Sequence, residues 1–418
     1  MTTNRRSRSR QSALKTAAAS VLGIAVYSIF SEESYLNNGR RFLTSELEHE
    51  MEVNPLSMPA QIAVADDAEA TDFNAGENNN MSYLTSSHST LLPWAQNNLV
   101  DIHDGPAQTD ATNMFWHIPK AGGTTAKQLY QCMGKTLTIR IGIDPRHGHD
   151  QTDEIVVFPP IAGKDWKTVN VDTTIRPGIV RAKKMGLVQS RTADLIFTME
   201  PAFAGEQLFD PQNKGRIMAL FRNPVDRLVS KFYYLQTATW ERTYKPEWKD
   251  MTIVEWAELP SEDENFMVRK LSGKRFSEPV NEMDLILAKE FLRQRVVVGL
   301  MGEMTESFRR FNIAMNVDVQ EERNRRCVEE YFGVKDADSG VKNSNKHPKV
   351  VEGSPEWRAL AKKNHLDIIL YSYAERLFEE QKQIIDSYIA QDSENKQQES
   401  VEERNEPQPI VEVIHRKL

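Results

Sequence analysis

Cysteine is scarce in this sequence, whose 418 residues contain only Cys132 and Cys327. Two thiols form at most one internal disulfide bond, which excludes a disulfide-rich scaffold and a four-cysteine zinc site. Their number says little about the redox compartment in which the chain works.

A net positive charge is missing as well. The formal charge is −8 at pH 7, whereas proteins that bind nucleic acid present a basic surface. Nucleic acid is therefore not expected as the main partner. The hydrophobic share of 39% and the charged share of 27% are typical of a soluble globular body rather than of a multi-span membrane protein.

The N-terminal apolar run is shorter than the ~20 residues that span an average bilayer. It reads TAAASVLGIAVYSIF, residues 16–30, and lies between an arginine-rich stretch and the acidic pair Glu32 and Glu33. This order is typical of a signal anchor, with residues 1–15 as a cytosolic basic tail. A cleaved signal peptide and an organelle transit peptide are the alternatives.

Composition divides the rest of the chain into three parts. Residues 31–110 hold polar clusters without a sustained apolar period, which predicts a flexible stem with one glycosylation sequon at Asn80. Residues 111–388 are predicted to form the folded domain. The polar segment 389–418 is predicted to be a disordered tail.

The folded domain alternates short apolar runs with helical patterns. The runs MFWHI (114–118), DLIFTM (194–199), RIMALF (216–221) and RVVVGL (295–300) have strand character. The unbroken hydrophobicity of the last run predicts a strand covered on both faces, as in a parallel sheet. Strands alternating with helices predict an α/β fold, a three-layer sandwich with a central, mainly parallel sheet flanked by helices.

A glycine-rich loop follows the first strand. In IPKAGGTT, Gly122 and Gly123 let backbone amides approach an anion, Thr124 and Thr125 supply hydroxyl donors, and Lys120 supplies a cation. The nucleoside-triphosphatase motif G-x-x-x-x-G-K-[ST] is absent, because the GKT at 134–136 has leucine, not glycine, at position 129. Here the lysine precedes the glycines.

A second phosphate-binding candidate follows the third of these strands, in RNPVDRLVSKFYY (222–234). Arg222 can form two parallel hydrogen bonds with a phosphate group. Ser230 lies eight residues further along the following helix and can add a hydroxyl. An ordinary cluster of ion pairs at a helix start is the alternative interpretation of Arg222 and Arg227.

Together the two motifs resemble the cofactor signatures of sulfotransferases that use 3′-phosphoadenylyl sulfate. The segments NFMVRKLSG (265–273), VVVGLMGEMTESFRRF (296–311) and NHLDIILYSYAERLFEEQ (364–381) are similar to the Golgi heparan sulfate 2-O- and 6-O-sulfotransferases. The resemblance implies a P-loop-like fold, a lumenal type II Golgi membrane protein and a glycan acceptor. It assigns cofactor binding to Lys120, Ala121, Gly122, Gly123, Thr124, Thr125, Arg222, Ser230 and Lys346, with Lys120 also catalytic.

The resemblance also calls for a base that accepts the proton of the acceptor hydroxyl. The 2-O branch has a histidine near the end of the preceding strand, where this chain has Glu200. Other glycan branches place a glutamate in that role, so Glu200 is the expected base. A capping or surface carboxylate is the alternative for Glu200, and His147 and His149 are the rival bases.

Two further segments bear on the partners. Residues 164–191 carry seven cations and two acids, which is compatible with a basic rim for an anionic polysaccharide or with a solvated charged face. The segment VKNSNKHP (341–348) resembles the family's late loop over the cofactor, with Lys342 and Lys346 as candidates, and a plain surface loop is the alternative. No metal site is predicted. A phosphotransferase or nucleotidase and a non-catalytic glycan-binding relative are the alternative functions.

Overall fold

The computed structural model describes residues 91–106, 110–139, 152–158, 166–241, 243–333 and 347–405, with side chains as far as residue 394. The predictions for the basic tail, the apolar run and most of the stem lie outside these residues, as do those for His147, His149, Lys164, Lys342 and Lys346. Within the described ranges, no helix has both the length and the apolar character needed to cross a membrane.

Seven strands form one sheet. They are β1 (Thr112–Trp116), β2 (Thr136–Thr138), β3 (Val157–Phe158), β4 (Lys167–Val169), β5 (Leu195–Thr198), β6 (Gly215–Phe221) and β7 (Val296–Leu300). Their order is β3-β4-β2-β5-β1-β6-β7, and every neighbouring pair is parallel except β3 and β4. The predicted mainly parallel sheet is confirmed.

Helices cover both faces of this sheet, which confirms the α/β three-layer arrangement. The helices are α1 (Pro93–Asn98), α2 (Gly123–Cys132), α3 (Arg176–Lys184), α4 (Pro201–Leu208), α5 (Pro224–Leu235), α6 (Ile253–Glu258), α7 (Phe266–Leu271), α8 (Glu282–Arg295), α9 (Met304–Ala314), α10 (Glu322–Phe332), α11 (Pro355–Lys362) and α12 (His365–Asn405). Short 3₁₀ turns lie at Pro246–Lys249 and Met301–Glu303.

Successive side chains of a strand point into two different hydrophobic cores, one on each face of the sheet. In β1, Met114 and Trp116 lie in the core formed with α7, α8 and α12, whereas Phe115 lies in the core formed with α2 and α9. Successive residues of β7 divide in the same way, and all five of them are buried. A strand buried on both faces needs apolar residues at every position, which explains the unbroken run RVVVGL.

The folded domain begins before residue 111. Helix α1 packs its buried Ala95 into the core, Leu99 bridges to Gly215 at the start of β6, and the Arg295 Nε donates to the Ala95 carbonyl at 3.0 Å. Residues 91–106 therefore belong to the body rather than to the predicted stem. A helix of six residues is too short to display the apolar period on which that prediction relied.

The last helix continues beyond residue 388. Helix α12 runs to Asn405, and the Tyr388 hydroxyl donates to the Ile102 carbonyl in the core. The predicted disordered tail is thus helical as far as residue 405. The segment after Tyr388 lacks glycine and proline before Pro407, and adding residues to an existing helix requires no new nucleus.

The two cysteines form a disulfide bond between Cys132 and Cys327, 195 residues apart in sequence. The bond joins the C-terminal residue of α2 to α10. In addition, the Arg323 Nε of α10 donates to the Cys132 carbonyl at 2.7 Å. The far end of the helix that follows the glycine-rich loop is therefore fixed to a second helix by a covalent bond and a hydrogen bond.

Helices α7 and α12 cap each other's N-termini. The Asn265 Oδ1 accepts from the amides of Leu366 and Asp367, and the Asp367 carboxylate accepts from the amides of Met267 and Val268. Asn265 and Asp367 are both buried, and burial raises the pKa of Asp367 to about 6. Asn265 thus has a structural role.

Replacing Asn265 with glycine is expected to lower the free energy of unfolding by about 2–3 kcal/mol, because two buried amides lose their acceptor. Glycine is the informative substitution, since the Asn265 backbone is left-handed (φ 45°) and glycine adopts this conformation without strain. Urea-induced unfolding of the full chain measures the change.

The matched control is Asn281, which caps α8 at an exposed position and accepts from the Met283 and Asp284 amides. Asn281→Gly is expected to cost only about 0.3 kcal/mol, because water replaces the lost acceptor. Equal losses in the two variants would contradict the structural role of the buried cap.

Candidate active site

Three strand ends bring the predicted site residues to one edge of the sheet. Strand β1 lies between β5 and β6, with Trp116 paired to Thr198 on one side and to Ala219 on the other. All three strands are parallel, so their C-terminal ends meet at the same edge. Polar loops at such an edge form the usual ligand site of an open α/β sheet.

The glycine-rich loop turns sharply away from β1. Lys120 has a left-handed backbone (φ 66°), and so does Gly122 (φ 84°). A β-carbon on Gly122 would lie 2.7 Å from a methyl group of Leu220, and one on Gly123 would lie 2.1 Å from the His117 ring. Both positions therefore require glycine, and the loop backbone lies close to its neighbours.

Helix α2 begins directly at this loop, with Gly122 as its N-cap residue. The first amides of a helix have no acceptor within it and carry partial positive charge. Ala121 and Thr125 are buried, whereas Thr124 is half-buried at the first turn. The loop and helix start can thus surround an anion with backbone donors.

Arg222 joins this loop from the end of β6. Its Nη1 donates to the Lys120 carbonyl at 2.9 Å, so the two predicted anion-binding residues are directly connected. Burial lowers the pKa of Lys120, and the Arg222 guanidinium lowers it further. Burial also lowers the pKa of Arg222. Two cations held together in this way form a favourable site for an anion.

Ser230 lies in α5, which Asn223 caps by accepting from the amides of Val225 and Asp226. Ser230 is 7% exposed. Arg227, on the same helix, is fully buried and donates from Nη1 to Asp263 at 2.9 Å. Arg227 therefore anchors α5 to the core, whereas Arg222 lies at the edge of the sheet. The two arginines have different roles, which the sequence alone did not distinguish.

The side chain of Lys120 lies against an aromatic ring. Its Nζ is 4.0 Å from the centre of the Tyr234 ring, in the last turn of α5. The Tyr234 hydroxyl donates to Glu241 at 2.7 Å. Sequence reasoning missed both residues, although Tyr234 is the last residue of the second motif and Glu241 lies seven residues further along the chain.

His117 is another residue that sequence reasoning missed. It directly follows β1, and its amide donates to the Thr198 carbonyl at 2.7 Å. Burial lowers the pKa of His117 to about 4, with a further lowering by Lys127 and an opposing effect of Glu241. The imidazole is therefore neutral at pH 7 where it contacts Gly123. The signal in the sequence that could have identified His117 is its position between an apolar strand and the glycine-rich loop.

Glu200 stands at the end of β5, on the other side of β1 from Arg222. Its backbone caps α4, but its side chain forms no capping hydrogen bond. Instead one carboxylate oxygen accepts from Arg176 at 3.1 Å and the other from Lys270. The side chain is 13% exposed. Glu200 thus reaches the edge expected for a base, with both oxygens engaged by cations.

The basic segment 164–191 contributes to this edge through Arg176. Lys183 and Lys184 face Asp210 and Asp153, each at 3.9 Å, and Arg181 donates to backbone carbonyls. These contacts favour the solvated, ion-paired interpretation for most of the described cations. Lys270 was not singled out from sequence, because its partner Glu200 is 70 residues away.

No protein-family model and no curated protein matches this chain. In the described ranges, no group of three or more histidine, cysteine, aspartate or glutamate side chains could hold a metal ion.

The half-buried His117 imidazole predicts a pH-dependent difference in stability. Because the pKa of His117 is about 4 in the folded chain and about 6.5 when exposed, only the unfolded chain binds this proton between those values. Stability should therefore rise with pH across this window. The wild type should lose about 2 kcal/mol more than His117→Gln between pH 7 and pH 4.5.

Urea unfolding at both pH values measures this difference. His365→Gln is the control, because His365 is exposed at the start of α12, and it is expected to follow the wild type. If the free energy of unfolding fell equally in the wild type and in His117→Gln between the two pH values, the folded chain would not hold His117 in its neutral form.

Proposed function

We propose that this protein is a sulfotransferase that transfers a sulfuryl group from 3′-phosphoadenylyl sulfate to a hydroxyl group of a glycan. The proposed acceptor is an anionic polysaccharide. The observation that carries the proposal is the joining of Lys120 and Arg222 at the ends of adjacent strands β1 and β6. The two sequence motifs that resemble a donor site are far apart in the chain, yet their key cations meet at one edge.

The chemistry of these residues supports binding of the donor. Lys120, the amides of Gly122 and Gly123 and the hydroxyls of Thr124 and Thr125 would hold the phosphosulfate end, while Arg222 and Ser230 would hold the 3′-phosphate. The donor supplies the sulfuryl group and leaves as a bisphosphate. Lys120 would stabilise negative charge on the leaving oxygen, and the loop amides would stabilise charge on the sulfuryl oxygens.

Glu200 is proposed to accept the proton of the acceptor hydroxyl. Its place at the end of β5 supports the role, since β5 and β6 flank the donor loop on opposite sides. Arg176 and Lys270 each engage one of its two oxygens, and each oxygen keeps a second lone pair that can accept the proton. An acidic acceptor could also compete with Glu200 for these cations.

The disulfide supports a lumenal location for the folded domain. Disulfide bonds persist in oxidising compartments such as the secretory pathway, and Cys132 and Cys327 are paired. Together with the basic, apolar and acidic order of the N-terminus, this favours a single-pass type II Golgi membrane protein.

The donor reaction can be tested with the full chain, labelled 3′-phosphoadenylyl sulfate and a panel of polysaccharides, with and without EDTA. We expect transfer that EDTA does not change, and Lys120→Ala should lower kcat/KM by about 100-fold because the leaving group loses its cation. The control is Lys382→Ala, an exposed position on α12, which should behave as the wild type.

Magnesium-dependent hydrolysis of a nucleoside triphosphate without sulfuryl transfer would instead identify a phosphotransferase or nucleotidase. Binding of a polysaccharide without transfer would identify a non-catalytic glycan-binding protein. Either result would overturn the proposed reaction.

The base assignment has its own test. Glu200→Gln should lower kcat by about 100-fold, since a glutamine cannot accept the proton, while the donor KM should change little. Glu206→Gln is the matched control, because Glu206 is exposed on the adjoining helix α4. Near-normal kcat in Glu200→Gln would remove Glu200 from the reaction.

A further inference from the structure

The Lys120 ammonium rests on an aromatic face. It lies 4.0 Å from the centre of the Tyr234 ring, well within the ~6 Å over which a ring face attracts a cation. In the part of the chain that the structure describes, this ammonium forms no ion pair with a carboxylate, although Glu241 acts on it electrostatically. The ring is therefore its principal contact.

The hydroxyl end of the Tyr234 ring has two hydrogen-bond partners. Its hydroxyl donates to Glu241 at 2.7 Å and accepts from the Trp240 Nε1 at 3.2 Å. Trp240 packs edge-on against the same ring, with centroids 6.3 Å apart. The ring face towards Lys120 thus has a fixed orientation.

The backbone that carries these partners is a compact turn. The amide of Ala238 donates to the Tyr234 carbonyl at 2.9 Å, and the amide of Glu241 donates to the Ala238 carbonyl at 3.0 Å. Ala238 is fully buried. Glu241 therefore approaches Tyr234 from a rigid extension of α5 rather than from a free loop.

An aromatic partner has a consequence that a carboxylate would not have. A carboxylate beside Lys120 would neutralise its charge and repel an incoming anion, and its removal from a buried ammonium would be costly. A ring attracts the ammonium more weakly and carries no net charge. It can keep the side chain in one place while leaving the full positive charge available to an anion.

We propose that Tyr234, oriented by Glu241, is a positioning residue that holds the Lys120 ammonium at the donor site. The proposal rests on the proposed sulfotransferase function for its kinetic consequences, but the contact itself can be tested without any donor. Tyr234 acts through Lys120, so its loss should affect the rate of transfer more than the binding of the donor.

The first experiment measures the accessibility of Lys120. The full chain, without donor, is treated with acetic anhydride, and acetylation of Lys120 is compared by peptide mass spectrometry with that of the exposed Lys382. Tyr234→Leu should raise the relative rate at Lys120 by about tenfold, the size expected for a desolvated contact with a ring. Tyr234→Phe keeps the ring but loses its hydrogen bond to Glu241, and should raise the rate by only about threefold.

Two further variants keep this experiment decisive. Glu241→Ala removes both the acceptor of the Tyr234 hydroxyl and a carboxylate that acts on Lys120 directly, and should raise acetylation of Lys120 by at least the roughly threefold increase expected for Tyr234→Phe. Tyr233→Leu is the matched control, because Tyr233 stacks on His347 with ring centroids 5.6 Å apart, and should leave the rate unchanged. Equal acetylation of Lys120 in the wild type, Tyr234→Leu and Glu241→Ala would overturn the proposal.

The second experiment measures transfer kinetics with the same variants. Tyr234→Leu should lower kcat by about tenfold while the donor KM changes by less than about threefold, and Tyr234→Phe should restore most of kcat. An equal loss in Tyr234→Phe and Tyr234→Leu would contradict a role for the ring face. If the wild type transfers no sulfuryl group, the proposed function fails, whereas a tenfold difference in acetylation still supports the positioning of Lys120.

Discussion

The hydrogen bond from Arg222 to the Lys120 carbonyl is the contact on which the candidate site depends. It joins the chain just after β6 to the loop just after β1, and it holds two cations at one edge. Such an arrangement is unfavourable by itself, because each charge is partly buried and each pKa is lowered. The buried sheet beneath supplies the rigidity that keeps them together, since every residue of β6 is buried.

The same close packing explains why the loop has its particular residues. The His117 ring occupies the space that a side chain at position 123 would need, and a methyl group of Leu220 occupies the space beside Gly122. The glycines therefore serve two needs at once, close approach of the backbone to an anion and close approach to neighbouring strands. A neutral imidazole at this point adds no further charge to a site that already holds two cations.

The sheet and the loop could be predicted from sequence because both have local signals. Unbroken apolar runs indicate buried strands, and paired glycines after a strand indicate a phosphate loop. The partners of Lys120 and Glu200 could not be predicted in this way. Tyr234 lies 114 positions from Lys120 in the sequence, and Lys270 lies 70 positions from Glu200. Only the tertiary fold brings each pair together. Helix α1 was missed because six residues are too few to show a period.

The site is asymmetric about β1, and this asymmetry has a chemical meaning. On the β6 side two cations, Lys120 and Arg222, lie together, and Glu241 and Asp226 respectively act on them electrostatically. On the β5 side Glu200 lies between Arg176 and Lys270. The first arrangement favours an added anion, which would lessen the repulsion between the two cations. The second holds two cations and one carboxylate. Under the proposed function, an anionic acceptor bound on that side would compete with Glu200 for these two cations and so leave the carboxylate more accessible as the proposed base.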